Sequence, residues 1–434
     1  MRVFLDISRL VLGTWRVMPT GIDRVEYAYA RYWLENHPDR VTFVMRGPIG
    51  SVVAVPHGFV GEFLHALDTR RLGAPGWQDW AKQASRLART AIARLGLGRG
   101  AWEVTRLLGA SHENVYLLVS HTWADRPGPI EALRRKGVKF VSLVHDLIPA
   151  THPEYASPAG AARHHRRIET FASLADGVIV NSNATAQELL PHLPQGADQP
   201  PILAAPLGID TPLPDPGFPI PAEPYFVCIG TIEPRKNHLL LLNTWRVLAE
   251  RLGSKAPKLL LIGRRGWENE NILDMLDRCP ALVGVVREYR GLPDRGVARL
   301  LQGARALLFP SFAEGYGLPL AEALSLGVPA ICSDLPALRE VGGDAPDYLD
   351  PLDGLGWRRL ILSFAEADSR MREAQLRRLE SWAPVTWENH FALLEPWLRQ
   401  IAYAGRAAES PRVPAGAVTP ASRAMMPAPI VPGS

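Results

Sequence analysis

Short apolar runs alternate with amphipathic helical segments on both sides of a proline-dense stretch, and the chain has 434 residues. These observations predict an α/β protein of two doubly wound parallel sheets facing a cleft, because strands alternating with helices require crossovers and hence parallel pairing. Arg2 to Ile7 reads as a buried opening strand, and Thr20-Gly21-Ile22-Asp23 then starts an amphipathic helix to about Leu34. Further strand-like runs lie at Val41 to Met45, Val115 to Ser120, Lys139 to Val144 and Gly177 to Asn181, with a helix over Ala159 to Leu174. Eight prolines then fall between Pro201 and Pro224, which reads as a linker or surface loop.

After the prolines the alternation restarts. Strands are expected at Tyr225 to Gly230, Lys258 to Gly263, Val283 to Val286, Ala306 to Pro310 and Pro329 to Cys332. Helices are expected at His238 to Leu252, Asn271 to Leu276, Pro293 to Leu301 and Pro319 to Leu326. An aromatic and leucine pattern from Thr386 to Tyr403 supports a last helix, and 405–434, rich in Ala, Pro, Gly and Ser, reads as a disordered tail. The implied divisions are a first α/β unit at 1–212, a second at 213–385, a helix at 386–404 packing back toward the first unit, and the tail.

Hydrophobic residues at 47% and charged residues at 21% exclude wholesale disorder. Cys228, Cys279 and Cys332 form no C-x-x-C pair, which argues against a disulfide framework and a thiolate zinc site and for a reducing compartment. Forty-eight basic against 44 acidic residues give +4, too small an excess to imply nucleic acid. The N-terminus runs through five residues into Asp6, too short for a signal-peptide core, and no window approaches 18 apolar residues, so a cytoplasmic protein is expected. No Asp-x-Asp, His-Glu-x-x-His or calcium-loop pattern occurs, so no metal is expected.

The densest motif is Pro310-Ser311-Phe312-Ala313-Glu314-Gly315-Tyr316-Gly317-Leu318-Pro319-Leu320-Ala321-Glu322-Ala323. A strand ends in a glycine-bearing loop, Pro319 suits a first helical turn, and helix-start amides can hold an anion. Glu314 in the loop and Glu322 in the helix can reach one ligand at a strand's C-terminal edge, where α/β sheets place their sites. A second motif, Cys228-Ile229-Gly230-Thr231-Ile232-Glu233-Pro234-Arg235-Lys236-Asn237-His238, puts a guanidinium fork and an ammonium at a helix start, a pair suited to a diphosphate. A third, Leu143-Val144-His145-Asp146, ends a strand of the first half with an imidazole directed at the cleft.

The seven residues between Glu314 and Glu322, with the Glu-Gly-Tyr-Gly-Leu-Pro core, resemble the signature of retaining glycosyltransferases of family 4, whose fold is GT-B, two Rossmann-like domains facing a cleft. The resemblance implies metal-independent transfer of a hexose from a nucleotide sugar, with Arg235 and Lys236 neutralising the donor diphosphate. Many members carry Arg after the strand glycine, where Thr231 stands here. It also implies that Glu314 holds sugar hydroxyls, Glu322 the ribose hydroxyls, and His145 the sugar from the other domain, with His121 as the competing histidine. Gly21 matches an N-terminal glycine loop, and Gly230, Gly263, Gly291, Leu292, Tyr316, Gly317 and Leu318 complete the donor site. Asn181 and the Pro206-Leu207-Gly208 segment match landmarks at strand ends and the hinge.

The Thr20 to Tyr32 opening and Glu-Pro-Arg-Lys-Asn are similar to mannosyltransferases of exopolysaccharide and O-antigen assembly, which implies GDP-mannose and a lipid-linked sugar acceptor. A UDP-sugar or dTDP-rhamnose donor, a GT-B nucleotide-sugar epimerase and a non-catalytic binding protein are the alternatives. From Arg70 to Arg106 eight basic face two acidic residues, and Trp77, Trp80, Ala84, Leu87, Ala88, Ala91, Ile92 and Leu95 recur at helical spacing. That basic helix suits either an anionic membrane surface, on the inner face of the cytoplasmic membrane, or a core-packed position with a solvated face.

Overall fold

The computed structural model describes residues 1–13, 20–46, 50, 52–73, 80–96, 100–110 and 113–404. Seven strands form the first sheet: β1 (Arg2–Asp6), β2 (Val41–Arg46), β3 (Val52–Val55), β4 (Asn114–Leu118), β5 (Lys139–Val144), β6 (Gly177–Val180) and β7 (Ile202–Ala204). Their order is β3-β2-β1-β4-β5-β6-β7, all parallel except the β2–β3 pair. The second sheet holds β8 (Tyr225–Ile229), β9 (Lys258–Ile262), β10 (Val286–Tyr289), β11 (Leu307–Phe309), β12 (Ala330–Ser333) and β13 (Asp347–Leu349), in the parallel order β10-β9-β8-β11-β12-β13.

The strands read as unbroken apolar runs because each sheet is covered on both faces. Val3 and Leu5 of β1 enter one core cluster and Phe4 the opposite one. Phe226 and Cys228 of β8 likewise part from Tyr225 and Val227. The helix Trp387–Tyr403 returns to the first sheet's side, where Phe391, Leu394 and Leu398 join the cluster of Val3 and Leu5. Its Phe391 ring stacks on Tyr32 at 3.6 Å, and its His390 is bonded on both nitrogens, to the Pro206 carbonyl at 2.9 Å and the Tyr29 hydroxyl at 2.6 Å.

Several expectations need correction. The strand expected at Val283 to Val286 begins only at Val286, because Pro280–Leu282 forms a tight turn and Gly284 takes a left-handed φ of +77° before pairing with β9 starts. The proline-dense segment is not wholly loop: β7 lies within it as an edge strand, after Pro201, whose carbonyl accepts from Val178. The antiparallel edge β3, the strand β13 and the helices Pro336–Gly342, Gly354–Ala365 and Arg370–Leu379 were not anticipated.

The basic helix spans Trp80–Gly96, and its alanine face is spent inside the protein, with Ala84, Ala88 and Ala91 buried in the first sheet's core. Arg86 and Arg89 are exposed. An inserted apolar face is therefore ruled out for these alanines. The expectations at Trp77, at Arg99 and for the tail at 405–434 lie outside the described residues.

Candidate active site

The C-terminal ends of the two sheets' strands enclose a cavity of about 560 Å³. From the second sheet, β8 ends at Ile229 and the chain passes Gly230 into the turn Pro234–Lys236, which Asn237 closes in a left-handed conformation (φ 54°) before the helix His238–Leu252. That turn aims two cations into the cleft. Two strands' loops are knitted there: Phe312 N–H donates to the Arg235 carbonyl at 2.9 Å, and Arg235 Nη1 donates to the Ala313 carbonyl at 2.5 Å.

Glu314 receives both cations, Lys236 Nζ at 2.5 Å on Oε1 and Arg235 Nη1 at 3.1 Å on Oε2. Arg235 also holds Glu233 at 2.8 Å, whereas the Lys236 ammonium otherwise lies 4.6 Å over the Phe309 ring. Burial pushes the Glu314 carboxyl up, and Lys236 and Arg235 more than reverse this, holding it at about 2. Beyond Gly317 (φ +101°) the helix Leu318–Ser325 begins, and its Glu322 ion-pairs with Arg24 of the other half. Burial raises the Glu322 carboxyl above its ordinary range, against the pull of Arg24.

From the first sheet, Thr20 caps the helix Gly21–Asn36 through a reciprocal box with Asp23, and Arg9 Nε reaches Asp23 at 2.7 Å. Gly21 faces Leu318, whose side chain would lie 3.3 Å from an added Cβ. His145 follows β5, and its Nε2 lies 2.8 Å from the Val119 carbonyl, which accepts and so fixes the N–H on that nitrogen and leaves Nδ1 as an acceptor. Burial lowers its pKa to about 4, so the ring is neutral near pH 7. Asn181 positions the same segment by donating to the His145 carbonyl at 2.9 Å.

The halves meet closely around these groups. A Cβ on Gly315 would stand 2.1 Å from the His145 carbonyl oxygen, so only glycine permits the approach, and Ser182 Oγ donates to the Gly315 carbonyl at 2.8 Å. Away from the cavity, Glu340 accepts from the Asn183 and Ala184 backbone N–H groups, each at 2.7 Å.

The cavity gathers His145, Gly21, Gly230, Arg235, Lys236, Gly263, Leu292, Glu314, Tyr316, Gly317, Leu318 and Glu322. Gly291 is not among its lining residues. The Tyr316 hydroxyl donates to the carbonyl of Leu207, another lining residue, at 2.8 Å. His121 does not line the cavity either: its ring is tilted 59° against that of His145, with 5.4 Å between the centroids. Cleft residues that sequence reasoning did not single out include Arg9, Arg24, Arg264, Trp267 and Asp294. Arg24, three residues beyond Gly21, carried a signal in its place on the first helical turn; the others are brought in by tertiary packing.

Residues 81–212 match the family described as Glycosyltransferase Family 4, and residues 223–351 match Glycosyl transferases group 1. An O-antigen chain mannosyltransferase B of Escherichia coli is 30% identical over 285 residues, covering 60% of this chain and 70% of that protein. The chain is a family 4 glycosyltransferase. A serotype-specific mannosyltransferase WbdA of Escherichia coli is 27% identical over 53% of this chain, which spans only 30% of that longer relative. Among solved structures, Anabaena HepE in complex with UDP-glucose covers 92% of this glycosyltransferase and 99% of its own chain, with 13% identity and a TM-score of 0.59. That likeness carries the fold, GT-B, and no more.

Proposed function

We propose that this glycosyltransferase moves mannose from GDP-mannose, with retained configuration and without a metal ion, onto a lipid-linked oligosaccharide during O-antigen or related polysaccharide assembly. The observation that carries the reading is the Glu314, Arg235 and Lys236 cluster standing with His145 and Glu322 in one cavity. The mannose and O-antigen assignment is supported by the relative's name at 30% identity.

In this reading the diphosphate lies against Arg235, Lys236 and the helix start at Gly317 and Leu318, where fixed cations and a helix dipole stabilise the departing charge. Glu322 takes the ribose hydroxyls and releases Arg24. Glu314 accepts from sugar hydroxyls, and the neutral His145 offers Nδ1 to the sugar from the opposite side. The bond between the anomeric carbon and the phosphate oxygen breaks, the acceptor oxygen bonds to that carbon on the same face, and the acceptor proton passes to the departing diphosphate. A covalent glycosyl-Glu314 intermediate fits less well, since that route needs a paired carboxylic acid about 5 Å away, and Glu314 is instead clamped by two cations.

Among the described residues no helix is long and apolar enough to cross a membrane. Access to a lipid-linked acceptor then falls to the exposed Arg86 and Arg89 of the helix Trp80–Gly96, as electrostatic contact with anionic lipid.

Incubating the enzyme with GDP-mannose and a lipid-linked oligosaccharide acceptor tests the reaction. GDP release that depends on acceptor, survives EDTA and yields an α-linked mannose is expected. Loss of turnover with EDTA would remove the metal-free mechanism, and a β-linked product would remove retention.

A further inference from the structure

Five cations line the cavity, Arg9, Arg24, Arg235, Lys236 and Arg264, against five carboxylates, Asp146, Glu233, Asp294, Glu314 and Glu322. Four of those cations are already neutralised. Arg9 is held by Asp23, Arg24 by Glu322, Lys236 by Glu314, and Arg235 by Glu233 and Glu314. Arg264 has no carboxylate partner among the described residues, although it lines the same cavity. Its neighbour Arg265 shows the contrast, with its guanidinium bound to Asp277 at 2.5 Å and Glu288 at 2.7 Å, outside the cavity lining.

The backbone under Arg264 is fixed to the strand loop that precedes Arg235. Ile232 N–H donates to the Arg264 carbonyl at 2.8 Å. Gly263 abuts Gly230 so closely that a Cβ would stand 1.8 Å from the Gly230 oxygen. Gly266 N–H in turn donates to Ile232 at 2.9 Å, so the loops after β8 and β9 run side by side. An anionic ligand entering this cavity gains little from cations whose charge is already cancelled, and most from one that is not.

We propose that Arg264 is a phosphate-binding residue that contacts the diphosphate of the donor nucleotide and carries a large share of the discrimination between a nucleoside diphosphate and an uncharged nucleoside. This rests on the nucleotide-sugar reading above and adds to it the residue that supplies uncompensated charge. The planar fork suits two phosphate oxygens, and a lysine would supply charge without that geometry.

The test titrates wild type, Arg264→Ala and Arg264→Lys with GDP, UDP, guanosine and uridine by calorimetry, using competition for the nucleosides. Loss of a charge-assisted bond corresponds to roughly a 10- to 100-fold weakening. For the preferred base, Arg264→Ala is expected to lose at least about ten times more affinity for the diphosphate than for the nucleoside, and Arg264→Lys to recover part of that loss. A smaller difference, including equal losses for both ligands, overturns the assignment. If wild type binds neither diphosphate, the nucleotide-sugar reading itself fails. The side chain is exposed, so unfolding midpoints of the three proteins should coincide and serve as the folding control.

Discussion

Replacing Glu314 by Gln keeps the shape of the side chain and removes the charge shared by the buried Lys236 and the partly buried Arg235. Lys236 then has no anion, while Arg235 keeps Glu233 and the Ala313 carbonyl. Breaking a buried pair costs about 3–5 kcal/mol, and Arg235's remaining partners place this case near the lower end, at about 3 kcal/mol. The same change frees cations for a diphosphate, so GDP should bind about tenfold tighter, roughly 1.4 kcal/mol. Transfer should nevertheless fall about a hundredfold, because the sugar loses a positioning contact.

Urea unfolding with and without GDP, together with GDP titration and turnover, reads all three effects. Folding lowers the Glu314 carboxyl to about 2 from its ordinary 4.5. Its stabilisation is therefore complete above about pH 4.5 and is lost as pH falls through about 2, where folded and unfolded carboxyls are both protonated. The stability difference between wild type and Glu314→Gln should be flat above pH 4.5 and shrink below it. Unchanged stability, or GDP affinity that falls in step with turnover, would refute this account of the cluster.

Glu322→Ala should weaken GDP binding at least about tenfold, as expected for a lost hydrogen-bond pair to ribose hydroxyls; titration with undiminished affinity would remove Glu322 from the nucleotide site. His145, lowered to about 4 by burial, should contribute no ionisation near its ordinary 6.5. A kcat/KM profile for the nucleotide sugar is thus expected to contain no step near pH 6.5 that vanishes in His145→Ala, and such a step would contradict the neutral ring. Charge reversal of Arg86 and Arg89 to Glu should abolish cosedimentation with anionic vesicles while leaving the unfolding midpoint unchanged, and undiminished sedimentation would remove the electrostatic contact.

Much of the architecture was legible because most strands are buried on both faces, which makes β1, β5 and β9 unmistakable apolar runs. Strands β7 and β13 are three residues long and only half-buried, too short to display a strand period, and β7 is masked by the prolines around it. The two second-half loops were legible for a different reason: glycine, proline and charge fall together where a strand turns into a helix. Pairing was not legible. Nothing near Glu322 announces Arg24, which arrives from the helix Gly21–Asn36 of the other half. Tyr316 lines the cavity, but no neighbour in sequence announces that the Leu207 carbonyl holds its hydroxyl. The helix at Trp80–Gly96 has one alanine stripe that suits core or membrane alike, and only packing against the first sheet decides between them.

A calorimetric titration of the purified protein with GDP, UDP, ADP and dTDP tests the proposed reaction most directly. Saturable binding of GDP above the others, reduced in Glu322→Ala, is the result predicted. A preference for another base would contradict GDP-mannose as donor, and binding of none would contradict nucleotide-sugar transfer by this chain.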